Sequence, residues 1–222
     1  MRKRNGAVGA ALLLSLCGMV SAEVTSYTLP VTRDGKKTTR LAYEFWSGEY
    51  PGPIIDLNSK SSGTTTVPAQ ASVRDLSEPH ACAIQNGVYH PWSGDKKSLI
   101  TFYTLTAVKS YQSEKDQEFN GQKIKKGDRI SHVIYLAEGM CQARWGRPGE
   151  KDQPVEEFTC AELDDPLAFT PVEGRDDPFL EQWLYVQCGD GKKAFVQDNQ
   201  LLAAPGAKEG QLVTYGEVKG AE

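Results

Sequence analysis

Four cysteines, Cys82, Cys141, Cys160 and Cys188, remain once the first 22 residues are set aside, and they constrain the fold more than any other feature. An even cysteine count in an exported chain points to disulfides, because the compartment is oxidising. Four cysteines allow three pairings, and sequence does not choose among them. The preferred arrangement is Cys141–Cys160 with Cys82–Cys188. The first bridge would close a short, polar, loop-like segment, and the second would tie an early strand to a late one. Each is expected to contribute ~2–4 kcal/mol, mostly by restricting the unfolded chain.

The case for export lies at the N-terminus. A basic head, MRKRN, precedes the apolar run GAVGAALLLSLCGMV, and small residues then place a cleavage site after Ala22. This is the layout of a secretory signal peptide. The run is shorter than the ~20 residues that span a bilayer, and no later stretch is long and apolar enough for a membrane helix. A lipoprotein box would need a small residue before Cys17, where Leu16 stands. The expected location is therefore periplasmic or secreted, with cleavage after Ala22. Arg2, Lys3 and Arg4 leave with the signal, so 22 basic residues then face 29 acidic ones and the net charge falls from −4 to −7. That balance offers no clustered basic footprint for nucleic acid.

The remaining chain reads mainly as strands. VTSYTLPVTRDGKKTTRLAYEFW has hairpin form, with Asp34-Gly35 as the turn and Leu41, Tyr43 and Phe45 alternating onto one face. Pro51 and Pro53 stop the second strand. The polar stretch 58–70 reads as a loop or linker. SLITFYTLTAVKSY is the strongest strand signal, rich in β-branched and aromatic residues. EKDQEFNGQKIKKGD reads as a charged connection, and residues 146–178 as mostly loop around a short strand or helical turn at VEEFTCAEL. FLEQWLYVQC, GDGK and KAFVQDNQLL read as strand, turn and return. In CAIQNGVYHPW, Cys82 and Ile84 should share an inward face, with Asn86-Gly87 as a tight turn into a return segment.

Two stretches, GQKIKKGDRISHVIYLAEG and WLYVQCGDGKKAFVQDNQLL, resemble the bacterial SH3-like module, a small β-barrel of cell-wall proteins. The second carries Ala194-Phe195-Val196 where that family usually reads G-W-V. The resemblance implies one small barrel with an insertion of about forty residues that carries Cys141 and Cys160, and fold alone would not give function. The expected architecture is mainly β: a small antiparallel barrel or sandwich, SH3-like, with an N-terminal hairpin extension, long loops and two disulfides. Its expected parts are a signal peptide over 1–22, a hairpin region and linker over 23–66, a disulfide-bonded barrel domain over 67–202 and a flexible tail over 203–222.

Catalytic signals are weak. A cysteine nucleophile would need a free thiol beside a histidine, and only Cys82 with His80 or His90 offers one. The same three side chains are the sole zinc suggestion, without a common zinc spacing. No nucleophile elbow, phosphate loop, zinc helix or calcium loop occurs. Asp164-Asp165 and Asp176-Asp177 each precede proline and read as turns. No cofactor or metal is expected.

Tyr43, Trp46, Tyr50, Tyr89, Trp92, Trp145 and Trp183 flank polar or turn residues. Such rings either plug the ends of a barrel or stack on sugars and anchor protein interfaces. Trp46, Tyr89, Trp92 and Trp145 are the candidate binding aromatics. The functional expectation is an exported, non-enzymatic envelope protein that contacts a protein or a cell-wall glycan such as peptidoglycan. An acidic inhibitor or immunity-type protein that neutralises a cationic exported enzyme is the alternative, and a hydrolase with a dispersed active site the second.

Overall fold

The structure is a computed structural model that describes residues 24–57, 63–76, 78–91, 100–147, 149–215 and 217–220. The expected signal peptide, Trp92 and the first part of the polar stretch, 58–62, lie outside the described residues. The protein is 55% strand and 6% helix, with an antiparallel sheet curled into a half-barrel and two disulfides. Two five-stranded sheets dominate.

The first sheet runs, in spatial order, Ser26–Arg33, Lys36–Tyr43, Ile100–Ala107, Leu180–Gln187 and Lys193–Gln197, all antiparallel. The expected N-terminal hairpin extends this sheet at one edge. Asp34 and Gly35 both take positive φ, as a two-residue hairpin turn demands. Period-two alternation gives the sheet two buried faces. Ile100, Phe102, Leu184, Val186, Ala194 and Val196 share one core with Cys82, Ile84 and Cys188. Leu29, Val31, Ala42, Tyr103, Leu105 and Trp183 form another.

The second sheet runs Gln153–Thr159, Met140–Gly146, Arg129–Tyr135, Ser110–Ser113 and Phe169–Glu173. It lies wholly between Ile100–Ala107 and Leu180–Gln187, which nevertheless pair directly, from Ile100 opposite Val186 to Thr106 opposite Leu180. The second sheet is thus an insertion between neighbouring strands of the first. Its own core holds Phe119, Ile124, Ile130, Val155, Phe158 and Phe169. The two connections run side by side at the neck. Gly174 adopts φ +67, and a Cβ there would fall 2.0 Å from the Val108 carbonyl oxygen, so only glycine fits. Strand prolines keep to sheet edges, where a missing N–H does no harm: Pro30, Pro154 and Pro171 all sit on edge strands.

Both preferred disulfides form. Cys82–Cys188 spans 106 residues and staples the hairpin of Thr64–Ala69 and His80–Gln85 to the end of a first-sheet strand. Cys141–Cys160 spans 19 residues inside the inserted unit.

Several expectations are corrected. Asn86-Gly87 does not turn a hairpin: neither residue takes positive φ. His80–Gln85 pairs instead with Thr64–Ala69, which occupies the second half of the presumed linker, and the Asn86 N–H donates to the Gly63 carbonyl. Val88–Tyr89 goes on to pair with Ile55–Leu57. The charged connection contains a hairpin, Gln117–Phe119 with Gln122–Ile124, turned by Asn120-Gly121 at positive φ. Phe169–Glu173, within the presumed loop, completes the second sheet because its edge satisfies Ser110–Ser113. The tail expected to be loose over 203–222 is paired in part. Gly206, at positive φ, turns the chain so that Ala207–Glu209 adds to Ile55–Leu57, and Leu212–Thr214 pairs with Glu217–Val218.

Candidate functional site

Of the three candidates among the described residues, two share one core and the third sits on another. Trp46 and Tyr89 are half-buried and pack against the core that holds Cys82. The Trp46 ring lies tightly over Gly48 and Gly52, and a Cβ on either would fall within 3 Å of it. The Tyr89 hydroxyl donates to the Gln85 carbonyl at 2.5 Å, and burial raises its pKa. Trp145 belongs to the other unit. Its Nε1 donates to Asp128 at 3.1 Å, and the Arg147 guanidinium lies over its ring. Of the wider aromatic set, Tyr43 and Trp183 are each 1% exposed and serve as core. Burial pushes the Tyr43 phenol up to about 12, outweighing its hydrogen bonds with Ser47 and Thr104. Tyr50 stacks on the exposed Tyr215.

The nucleophile and zinc readings of Cys82 fall with its disulfide, since neither chemistry is open to a bridged, fully buried sulfur. His80 is exposed, whereas His90 is buried, and desolvation lowers its pKa. Among the described residues no group of three or more His, Cys, Asp or Glu side chains could hold a metal. Asp165 and Asp177 act as turn formers: their carboxylates accept the Leu167 and Phe179 N–H groups, and Asp177 also pairs with Arg40.

One serine, histidine and aspartate do meet. The Ser131 hydroxyl lies 3.0 Å from His132 Nδ1 and 3.4 Å from Asp152. His132 takes φ +54 at a bulge in the second sheet. The order is wrong for a hydrolase, however. A catalytic base must stand between nucleophile and acid, and here the serine stands between the other two. Ser131 is also buried. The contacts hold the bulge in place.

A ligand-sized space lies elsewhere among the described residues. Leu41 and Tyr43 of the first sheet meet Ile134 and Leu136 of the inserted unit in a small core. Cross-contacts reinforce this junction: the Ser47 hydroxyl donates to the Tyr135 carbonyl, and the Val24 N–H to Gln142 Oε1. Beside the junction opens a cleft of 880 Å³. Val24, Phe45, Leu136 and Met140 supply its apolar wall, and Glu44, Glu138 and Glu157 its charge. No basic side chain is among its described lining residues. Tyr27 and Phe45, 47% and 36% exposed, are large rings on this wall that the cores do not absorb. A second, more polar cleft of 350 Å³ is lined by the Cys141–Cys160 bridge, Lys109, Asp164 and Arg175, with the last two in an ion pair at 3.5 Å.

Sequence reading missed the larger cleft entirely. Its residues come from four separate stretches, and no motif joins them. Phe45 was expected to share one face with Leu41 and Tyr43, but the strand stops at Tyr43, and Phe45 is 36% exposed while the other two are buried.

Fold and site together define a class, a disulfide-stapled, two-sheet β protein with a ligand-sized cleft between its units. In comparisons with known proteins, the chain matches no family model, no curated protein and no solved structure.

Proposed function

We propose that this is an exported, non-enzymatic binding protein of the bacterial envelope, and that its contact surface is the cleft between the two sheets. The partner is a protein or a cell-wall glycan. The observation that carries this reading is a cavity of ligand-binding size with two half-exposed aromatic rings on its wall. Exposed apolar surface gathered at one concave place commonly marks an interaction site. Two disulfides, and no helix long and apolar enough to cross a membrane among the described residues, are compatible with an extracellular or periplasmic location. The inhibitor reading draws support from the acidic lining of the same cleft.

A pull-down from envelope extract, with and without purified peptidoglycan, tests the proposal. The bait is the chain starting at Glu23, unaltered or carrying Phe45→Ala. Phe45→Ala should lose the retained partner while melting close to the unaltered protein, because the ring is not core. Equal retention by both baits would move the contact surface away from the cleft.

A further inference from the structure

We infer that the Cys141–Cys160 bridge is a thiol–disulfide exchange site, which a dithiol reductant reaches through the smaller, polar cleft and opens while Cys82–Cys188 stays shut. The two bridges differ in what surrounds them. Cys82 and Cys188 are 0% and 6% exposed and share one core with Ile84, Leu184, Val186 and Ala194. Cys160 is only partly buried, against the core of the inserted unit, and both cysteines of its bridge line the 350 Å³ cleft. Exchange needs a thiolate at a disulfide sulfur, so access decides which bridge reacts, and exposed bridges are the exchangeable ones. The charged side chains among the described lining are Lys109, Arg175, Asp164 and Asp176, balanced in sign, so the cleft turns away neither a thiol nor a thiolate.

The chemistry balances between this pair and one dithiol. A thiolate of the reductant attacks Cys160 Sγ, the more accessible sulfur, and forms a mixed disulfide. The bond to Cys141 breaks, and Cys141 Sγ leaves with the electron pair and takes a proton from solvent. The second thiol of the reductant then attacks the reductant's own sulfur in the mixed disulfide. This frees Cys160 as a thiol and leaves the reductant as its disulfide, so two electrons pass to the bridge. Local structure holds the opened cysteines together. The Cys160 N–H donates to the Gly139 carbonyl at 2.9 Å, Met140 lies opposite Thr159 in the strand pairing, and buried Leu163 anchors the turn Cys160–Asp164. The two thiols therefore remain neighbours. A disulfide oxidant recloses the bridge: one cysteine takes up half of the oxidant, and the other displaces it.

Differential alkylation tests this with the oxidised chain starting at Glu23. The chain meets a rising series of dithiothreitol in native buffer, is quenched with acid, alkylated under denaturing conditions and read cysteine by cysteine by mass spectrometry. Cys141 and Cys160 should label about tenfold faster than Cys82 and Cys188, because only the latter need a large opening of the fold. Once Cys141 and Cys160 are reduced, hydrogen exchange should rise at 160–165 and stay unchanged at 180–187. Oxidised glutathione should then restore the bridge. A brief pulse of reduced glutathione, a monothiol, should leave its adduct on Cys160. Reduced thioredoxin, a protein dithiol, separates the two sources of this chemistry. Labelling of the same pair by thioredoxin supports exchange with a protein, and labelling by dithiothreitol alone supports exchange with a small dithiol. Every arm uses the unaltered chain, so no variant has to fold. Equal labelling of the two bridges, or exchange rising at 160–165 and 180–187 together, would mean that reduction requires global unfolding and would overturn the inference. Earlier labelling of Cys82 and Cys188, an adduct on Cys141, or no labelling of either bridge without denaturant would overturn it as well. The larger cleft takes no part in this chemistry, so such a failure would leave the proposed contact surface standing.

Discussion

The first sheet draws its strands from both ends of the chain, whereas the second takes all of its own from residues 110–173. Their staples differ in the same sense. Cys82–Cys188 closes 106 residues around the insertion, while Cys141–Cys160 closes 19 within it. The inserted unit pairs mostly neighbouring segments and has its own core, so loop closure costs it less. The outer sheet must hold Lys36–Tyr43 against Ile100–Ala107, and that against Leu180–Gln187, across long connections. A long-span disulfide offsets most entropy where the pairing is most distant. The cleft lies between the two units, so its shape depends on both.

The largest effect that separates the units should come from the disulfides. Replacing Cys82 and Cys188 by alanine is expected to cost about 4–5 kcal/mol, and replacing Cys141 and Cys160 about 3 kcal/mol, on chain entropy alone. Urea melts of both pairs check the order. A larger loss from the short bridge would mean that the inserted unit, not the outer sheet, limits stability.

Core aromatics sharpen the contrast. Trp183→Ala empties a fully buried site in the outer sheet and should cost roughly 3–5 kcal/mol. Trp145→Ala removes a half-buried ring from the inserted unit and should cost roughly 1–3 kcal/mol, with Asp128 keeping its other donor, the Lys125 N–H. Thermal melts of the two variants give the comparison directly.

Ion pairs follow the same division at smaller scale. Arg33 grips Glu181 with two guanidinium nitrogens, each 2.6 Å from a carboxylate oxygen, in a largely buried setting. Arg33→Met should cost roughly 1.5–3 kcal/mol, because Glu181 loses a charged partner. Arg129 and Glu173 in the inserted unit are half-exposed, and Arg129→Met should cost no more than about 1 kcal/mol.

The smallest effect is on pH dependence. Burial lowers the pKa of His90 in the outer unit and of His132 in the inserted one. The unfolded chain then binds more protons than the folded one below the ordinary histidine value, so stability rises with pH there. It is fully present above about 6.5 and falls as pH drops through the lowered folded-state values. Replacing both histidines by asparagine should flatten the slope of stability against pH between about 6.5 and 5, as read by urea midpoints across that range.

Legibility in the sequence followed locality. Asp34-Gly35 turned its hairpin because both flanking strands were adjacent and free to pair. Asn86-Gly87 carried the same signal and failed, since His80–Gln85 already paired with Thr64–Ala69 and Cys82 was fixed by Cys188. An even cysteine count and the expected export pointed to the bridged state, and the early-to-late pairing of Cys82 with Cys188 emerged correctly. The nesting of one sheet inside another left no local trace, because Gly174 and Val108 meet only when the chain is folded. The cleft was invisible for the same reason: Tyr27, Phe45, Met140 and Glu157 lie far apart in sequence.

Hydrogen exchange of the chain starting at Glu23, with and without the partner retained from envelope extract, tests the central claim most directly. Binding in the cleft should slow exchange in the segments that line it, 24–27, 44–45 and 136–142, on both sheets at once. Protection confined to one unit, or centred on Trp46 and Tyr89 or on Trp145, would contradict a contact surface built between the two sheets.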